Sequence, residues 1–112
     1  MAILQGVGRL GREPKMQYSP EGNAITNLSV AVNSGYGEKK ETTWFDMVSF
    51  GKQAETLNQY LSKGSRFVFV AEFQGVKTYD KNDGSTGISA KARIVGFEFL
   101  DKSQGDDEPT EF

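Results

Sequence analysis

The chain has no cysteine and no histidine. Disulfides, Cys/His zinc centres and catalysis that runs through a thiol or an imidazole are therefore excluded. A carboxylate-bound metal stays open on those grounds, but no motif calls for one, and neither a metal nor another cofactor is expected. Long apolar runs are also missing. Nothing approaches the ~20 residues of a membrane span, and Met1-Ala2-Ile3-Leu4-Gln5-Gly6 has neither the basic start nor the apolar stretch of a signal peptide. No membrane partner is expected, and the location is read as cytoplasmic and nucleoid-associated. With 112 residues there is room for one core. The acid–base candidates that remain are Asp/Glu pairs or a Ser–Lys pair, and Asp80 and Asp83 flank a turn, where such residues serve backbone geometry. The reading is a protein that is not an enzyme.

The formal net charge is −2, which argues against a nucleic-acid binder until its distribution is considered. Residues 101–112 carry Lys102 against Asp101, Asp106, Asp107, Glu108 and Glu111, a charge of −4, while residues 1–100 hold twelve bases and ten acids, a charge of +2. A mildly basic body with a strongly acidic end is a functional hint in itself. It divides the chain into a folded domain over 1–101 and a short acidic, disordered tail over 102–112. A body charge of +2 is modest, so a grip on a polyanion needs contacts other than charge.

The pattern of the body is that of strands. Ile3 to Leu10 reads as a strand broken by glycines, followed by a short extension at Lys15-Met16-Gln17-Tyr18 and a turn at Ser19-Pro20-Glu21-Gly22-Asn23. Ala24 to Asn33 alternates, with Thr26, Leu28, Val30 and Val32 on one face. Thr43 to Phe50 sets Phe45 and Met47 on one face and Trp44, Asp46, Val48 and Phe50 on the other. Lys52 to Lys63 is the one helix, with Ala54, Leu57 and Leu61 in helical spacing and Gly64 placed as its C-cap. Arg66 to Tyr79 presents Phe67, Phe69, Ala71 and Phe73 to the core and Val68 and Val70 to the other side, and Ile88 to Leu100 is the last strand after a tip containing Asp83-Gly84. One helix between the third and fourth of five long strands, with glycines for bends, points to an all-β five-stranded Greek-key barrel, the OB-fold.

Gly6-Val7-Gly8-Arg9-Leu10-Gly11 matches the GxGxxG dinucleotide fingerprint. That motif requires a helix directly after the glycines. Arg12-Glu13-Pro14 and an extended segment follow instead, so the glycines read as bends of a strand.

Trp44 and Phe50 lie six residues apart and so share a strand face. A strand with large apolar groups on both faces is either buried twice or binds something. Basic residues near other rings favour binding: Lys52 follows Phe50, Lys39 and Lys40 lie beside Tyr36, and Lys77 and Lys81 flank Tyr79. Cations that follow phosphates and rings that take bases are the requirements of a single-strand groove. Val68 and Val70, opposite the core row, would make a sticky surface if exposed, which suggests a homo-oligomer.

Ordered blocks of the sequence resemble the bacterial-type single-stranded DNA-binding protein (SSB) family, cellular or phage-borne. They are Val7-Gly8-Arg9-Leu10-Gly11-Arg12-Glu13-Pro14, Tyr18-Ser19-Pro20-Glu21-Gly22, Asn27-Leu28-Ser29-Val30-Ala31, Thr43-Trp44-Phe45, Val48-Ser49-Phe50-Gly51-Lys52 and Tyr60-Leu61-Ser62-Lys63-Gly64-Ser65. The resemblance implies an OB-fold, assembled as a homotetramer or a dimer, that binds single-stranded DNA with little sequence preference during replication, recombination and repair. It implies base stacking at Trp44 and Phe50, a further ring at Tyr36, and basic contacts at Lys52 and Lys77. Tyr79, Lys39, Lys40, Tyr18, Lys15 and Arg12 complete the expected nucleic-acid surface. The tail, with Asp106, Asp107, Glu108, Glu111 and Phe112, resembles the family's acidic tip, which recruits replication and repair proteins. Three departures stand out. Asp46 sits on the Trp44/Phe50 face, Thr78 occupies a position often aromatic, and Gln17 replaces a frequent arginine. They point to weaker or differently routed binding and favour one alternative, a primosome-like interaction module with weak DNA affinity; a second alternative, an RNA-binding OB domain, differs only in substrate.

Overall fold

The computed structural model describes residues 1–100. The alternating segments form six strands: β1 (Ala2–Leu10), β2 (Lys15–Tyr18), β3 (Ala24–Ser34), β4 (Glu41–Phe50), β5 (Arg66–Asp80) and β6 (Thr86–Phe99), with one helix, α1 (Lys52–Tyr60), between β4 and β5. The strand order is β1-β5-β6-β4-β3-β2, and a further β1–β3 pairing closes β1, β5, β6, β4 and β3 into a ring, leaving β2 as a flap on β3. This is the expected five-stranded barrel, with the Lys15–Tyr18 extension as a short sixth strand outside the ring. All pairings are antiparallel except that of β4 with β6.

Period-two alternation decides what is inside. Leu28 and Val30 of β3, Met47 of β4, Phe67, Phe69 and Ala71 of β5 and Ala92 and Ile94 of β6 fill the core with Leu10, Leu57 and Leu61. Closure needs β1 to press against β3. A Cβ on Gly8 would lie well inside 3.0 Å of Val30 Cγ1, so glycine is required at that crossing. Gly8 of the fingerprint therefore serves strand packing, as the absence of a following helix implied. Helix α1 plugs one end of the barrel with Ala54 and Leu57. It is docked by the fully buried Thr26, whose Oγ1 donates to the Ala54 carbonyl at 2.7 Å. No helix of the described residues is long and apolar enough to cross a membrane.

Two expectations are corrected. The helix ends at Tyr60, not Lys63. The Ser62 N–H turns to Ser65 Oγ at 3.0 Å, and Gly64, at φ +91°, occupies a turn closed by Ser65 N–H to the Ser62 carbonyl at 2.9 Å. Leu61 still reaches the core from just beyond the helix. Phe73, expected in the core row, is 36% exposed. The β5–β6 register shifts between Phe73 and Gly75, and a bulge of this kind bends the strand and re-aims its side chains. The Asp83-Gly84 tip is a turn, with Asp83 Oδ1 accepting from both the N–H and the Oγ of Ser85 at 2.9 and 2.6 Å.

Candidate nucleic-acid interface

The outer face of the β2–β3–β4–β6 surface follows from the pairing register, because directly opposed residues share a face. Gln17, Ile25 and Phe50 make one row; Lys15, Asn27, Val48 and Arg93 the next; then Ser29, Asp46 and Lys91; then Ala31 and Trp44. Two hairpin arms extend this surface. The ends of β3 and β4 pair only with each other over Val32–Ser34 and Glu41–Thr43 and carry the loop with Tyr36, Lys39 and Lys40. Residues 76–80 of β5 and 86–90 of β6 pair with each other beyond β1, and on this arm Lys77 opposes Ser89 and Tyr79 opposes Gly87.

Between the arms runs a groove made of two connected hollows of about 530 and about 330 Å³ that share Arg12, Ser29, Asp46 and Lys91. The larger is walled by Trp44 on one side and Lys77 and Tyr79 on the other; the smaller continues past Lys15, Asn27 and Val48. Both rings lie on glycine. A Cβ on Gly11 would sit 2.6 Å from Trp44 Cη2 and closer still to Cζ3, and one on Gly87 would sit 2.7 Å from the Tyr79 hydroxyl oxygen. Tyr79 lays a ring face on Gly87, whereas Trp44 abuts Gly11 with the Cζ3–Cη2 edge of its ring, and about half of each side chain stays open, 50% for each. A ring held on one side and free on the other is preorganised for stacking.

Asp46 is one of the departures that point to weaker or differently routed binding. In the structure its Oδ2 accepts from Lys91 Nζ at 2.6 Å and Ser89 Oγ at 2.8 Å. Burial raises its pKa, but these hydrogen bonds, with the charges of Lys91 and Arg12, outweigh burial and hold the carboxyl below its ordinary 3.8. The negative charge is thus matched by a cation across the β4–β6 ladder. Arg12, Lys15 and Lys77 have no ion-pair partner among the described residues, which leaves them available to anions.

The expected residues divide. Arg12, Lys15, Trp44, Lys77 and Tyr79 line the groove together. Phe50, 48% exposed, continues the same face beyond it, with Lys52 opening α1 beside it. Tyr36, Lys39 and Lys40 stand on the exposed tip of the β3–β4 arm. Tyr18 pairs with the buried Ala24 and so shares the opposite pleat face from Phe50, although it is exposed. Asp106, Asp107, Glu108, Glu111 and Phe112 lie outside the described residues. The sequence reading missed Lys91, Ser89 and Ile88, which complete the groove floor and wall. Lys91 precedes the core residue Ala92 in sequence, but only the parallel β4–β6 pairing sets it against Asp46.

A closed five-strand ring with a helix plug and an open groove of rings and cations across one face is the construction of an OB-fold binding protein. The model of the Single-strand binding protein family matches residues 2–100, and the chain belongs to that family. It is 35% identical over 79 residues to the single-stranded DNA-binding protein 2 of a Nostoc species, a stretch covering 70% of this chain and 61% of that protein. It is 31% identical over 105 residues to the single-stranded DNA-binding protein 1 of a Synechocystis species, covering 93% of this chain and 87% of that protein. The first match thus spans less than two thirds of the relative's length.

Proposed function

We propose that the chain binds single-stranded DNA along this groove without strong sequence preference. The observation that carries the reading is the convergence of Trp44 and Tyr79 with Arg12, Lys15 and Lys77 on one open surface. Bases stack on Trp44, Tyr79 and, further along, Phe50, each contact worth about 1–3 kcal/mol. The unpaired cations follow the phosphates, with Lys52, Lys39 and Lys40 at the margins. The pairing of Asp46 with Lys91 weakens the case for an interaction module with marginal DNA affinity. The test is a titration with oligo-dT and with duplex at two salt concentrations, read by the fluorescence of Trp44. Tighter binding to the single strand is expected. Its log-affinity should fall with log salt at a slope of about −2 to −3, for three or four phosphates at ~0.7 each. Equal affinity for duplex and single strand refutes the reading, and a matched RNA strand that wins the competition would move it to RNA.

The outer face of β1 and β5 supports self-association. Ile3 and Val7 are exposed, and Gln5 and Val7 oppose the half-buried Val70 and Val68. Burying such a face against another copy removes apolar area from water at about 25 cal/mol per Å². A tetramer is the expected assembly, with a dimer as the alternative outcome of a solution mass measurement; a monomer refutes it. The acidic segment 102–112 is proposed to recruit replication and repair proteins, and the setting is cytoplasmic and nucleoid-associated. A partner that binds equally well after deletion of residues 106–112 would remove that role.

A further inference from the structure

Asp46 stands in the middle of the groove, two residues from Trp44 and four from Phe50 on the same face of β4. Same-face neighbours on a strand are about 6.8 Å apart. A base stacked on the Trp44 ring therefore brings its edge near the carboxylate. The cations that draw the sugar–phosphate chain are Arg12, close to the carboxylate, and Lys77 on the wall.

Only one oxygen of this carboxylate is engaged. Oδ2 accepts from Lys91 and Ser89, whereas Oδ1 has no hydrogen-bond partner among the described residues, and the side chain is 52% exposed. An ionised carboxylate offers about four acceptor positions and no donor. The Lys91 and Ser89 bonds also fix its orientation, so the free oxygen is presented to the groove in one direction. Such a group discriminates between bases. Cytosine, adenine and guanine carry an exocyclic amino donor. Thymine carries carbonyl oxygens at the corresponding positions, which repel a carboxylate, and its one donor, N3–H, is flanked by both of them.

We infer that Asp46 is a specificity-determining residue: it favours amino-bearing bases over thymine at the position beside Trp44. Lys91 and Ser89 are positioning residues for it. The inference rests on the single-strand reading above and adds a preference in base composition to a groove that otherwise recognises any base by its ring face.

The test compares two oligonucleotides of equal length, one of thymidine and one of 5-methyldeoxycytidine. Both bases carry the 5-methyl group and nearly the same ring face, and they differ in the oxo or amino group at the 4-position. The readout is the ratio of the two affinities in the native chain, in Asp46→Ala and in Asp46→Asn. Asp46→Ala frees Lys91 for phosphate and should tighten both strands together, an effect that cancels in the ratio. The ratio favouring 5-methylcytosine should be about fivefold higher in the native chain than in Asp46→Ala, the scale of one hydrogen bond. Asp46→Asn, which adds a donor, should shift the ratio toward thymine. The same ratio in all three proteins overturns the inference while leaving the single-strand reading intact. If the native chain binds neither strand, that reading fails and takes the inference with it.

Discussion

Gly11→Ala is the perturbation that most directly links local packing to binding. Gly11 lies just past β1, with its N–H donated to the Ser29 carbonyl at 2.9 Å, and its φ is not in the left-handed region, so alanine fits the backbone. The added methyl, however, would occupy space held by the Trp44 ring, 2.6 Å from Cη2. These are the outermost ring atoms of a half-exposed side chain, so the indole can swing away into solvent. Stability should then change by less than about 1 kcal/mol, because the loss of ring contact is offset by the smaller backbone entropy of unfolded alanine. Binding should suffer more. A tilted ring forfeits much of one stacking contact, about 1–2 kcal/mol, or roughly 5- to 30-fold in affinity. Gly8→Ala provides the contrast, since its methyl would meet the buried Val30 from within the barrel. Overpacking there should cost about 1–3 kcal/mol of stability and leave the affinity of the folded fraction unchanged. The assays are denaturant unfolding and oligonucleotide titration, with Trp44 emission as a direct report on the ring. If Gly11→Ala keeps both the emission maximum and the affinity of the native chain, the indole is not seated on Gly11 as described.

Other expectations follow from single contacts. Thr26→Val removes the hydroxyl that donates to Ala54 and should lower the unfolding free energy by about 1–2 kcal/mol. Oligonucleotide affinity should be unaltered; a loss of affinity would mean that the helix seat reaches the groove. Lys91→Met should raise the pKa of Asp46, which a carbon-detected NMR titration of its carboxyl reads directly. The folded pKa lies below the unfolded one, so the stabilisation from this pair is complete above about 3.8 and fades as pH falls through the lower folded value. The stability gap between the native chain and Lys91→Met should be under about 1 kcal/mol at neutral pH, since the pair is partly exposed. It should close at strongly acid pH, and a gap that persists there places the role of Lys91 in packing rather than charge.

The sequence by itself determined the elements and their faces. Period-two alternation in residues 24–33, 43–50 and 66–73 is a local property of the chain, and it separated Thr26, Leu28, Val30 and Met47 from Trp44, Asp46 and Phe50 with no knowledge of pairing. The element order and the rings beside cations pointed to the barrel and to a single-strand groove, and ordered blocks shared with a family pointed the same way. Local signals failed where the chain leaves regular geometry. The helix stop is set by a Ser62–Ser65 exchange of hydrogen bonds, and the exposure of Phe73 accompanies a register shift against a strand that comes later in the chain. The tertiary structure alone decided which charges meet. Asp46 and Lys91 are 45 residues apart and are joined by a parallel β4–β6 pairing that exists only once the ring closes. It likewise seated Trp44 on Gly11 and Tyr79 on Gly87, and set Tyr18 on the face away from Phe50. Alternation along one strand fixes up or down; which strand lies beside it is fixed by closure of the barrel, a property of the whole chain.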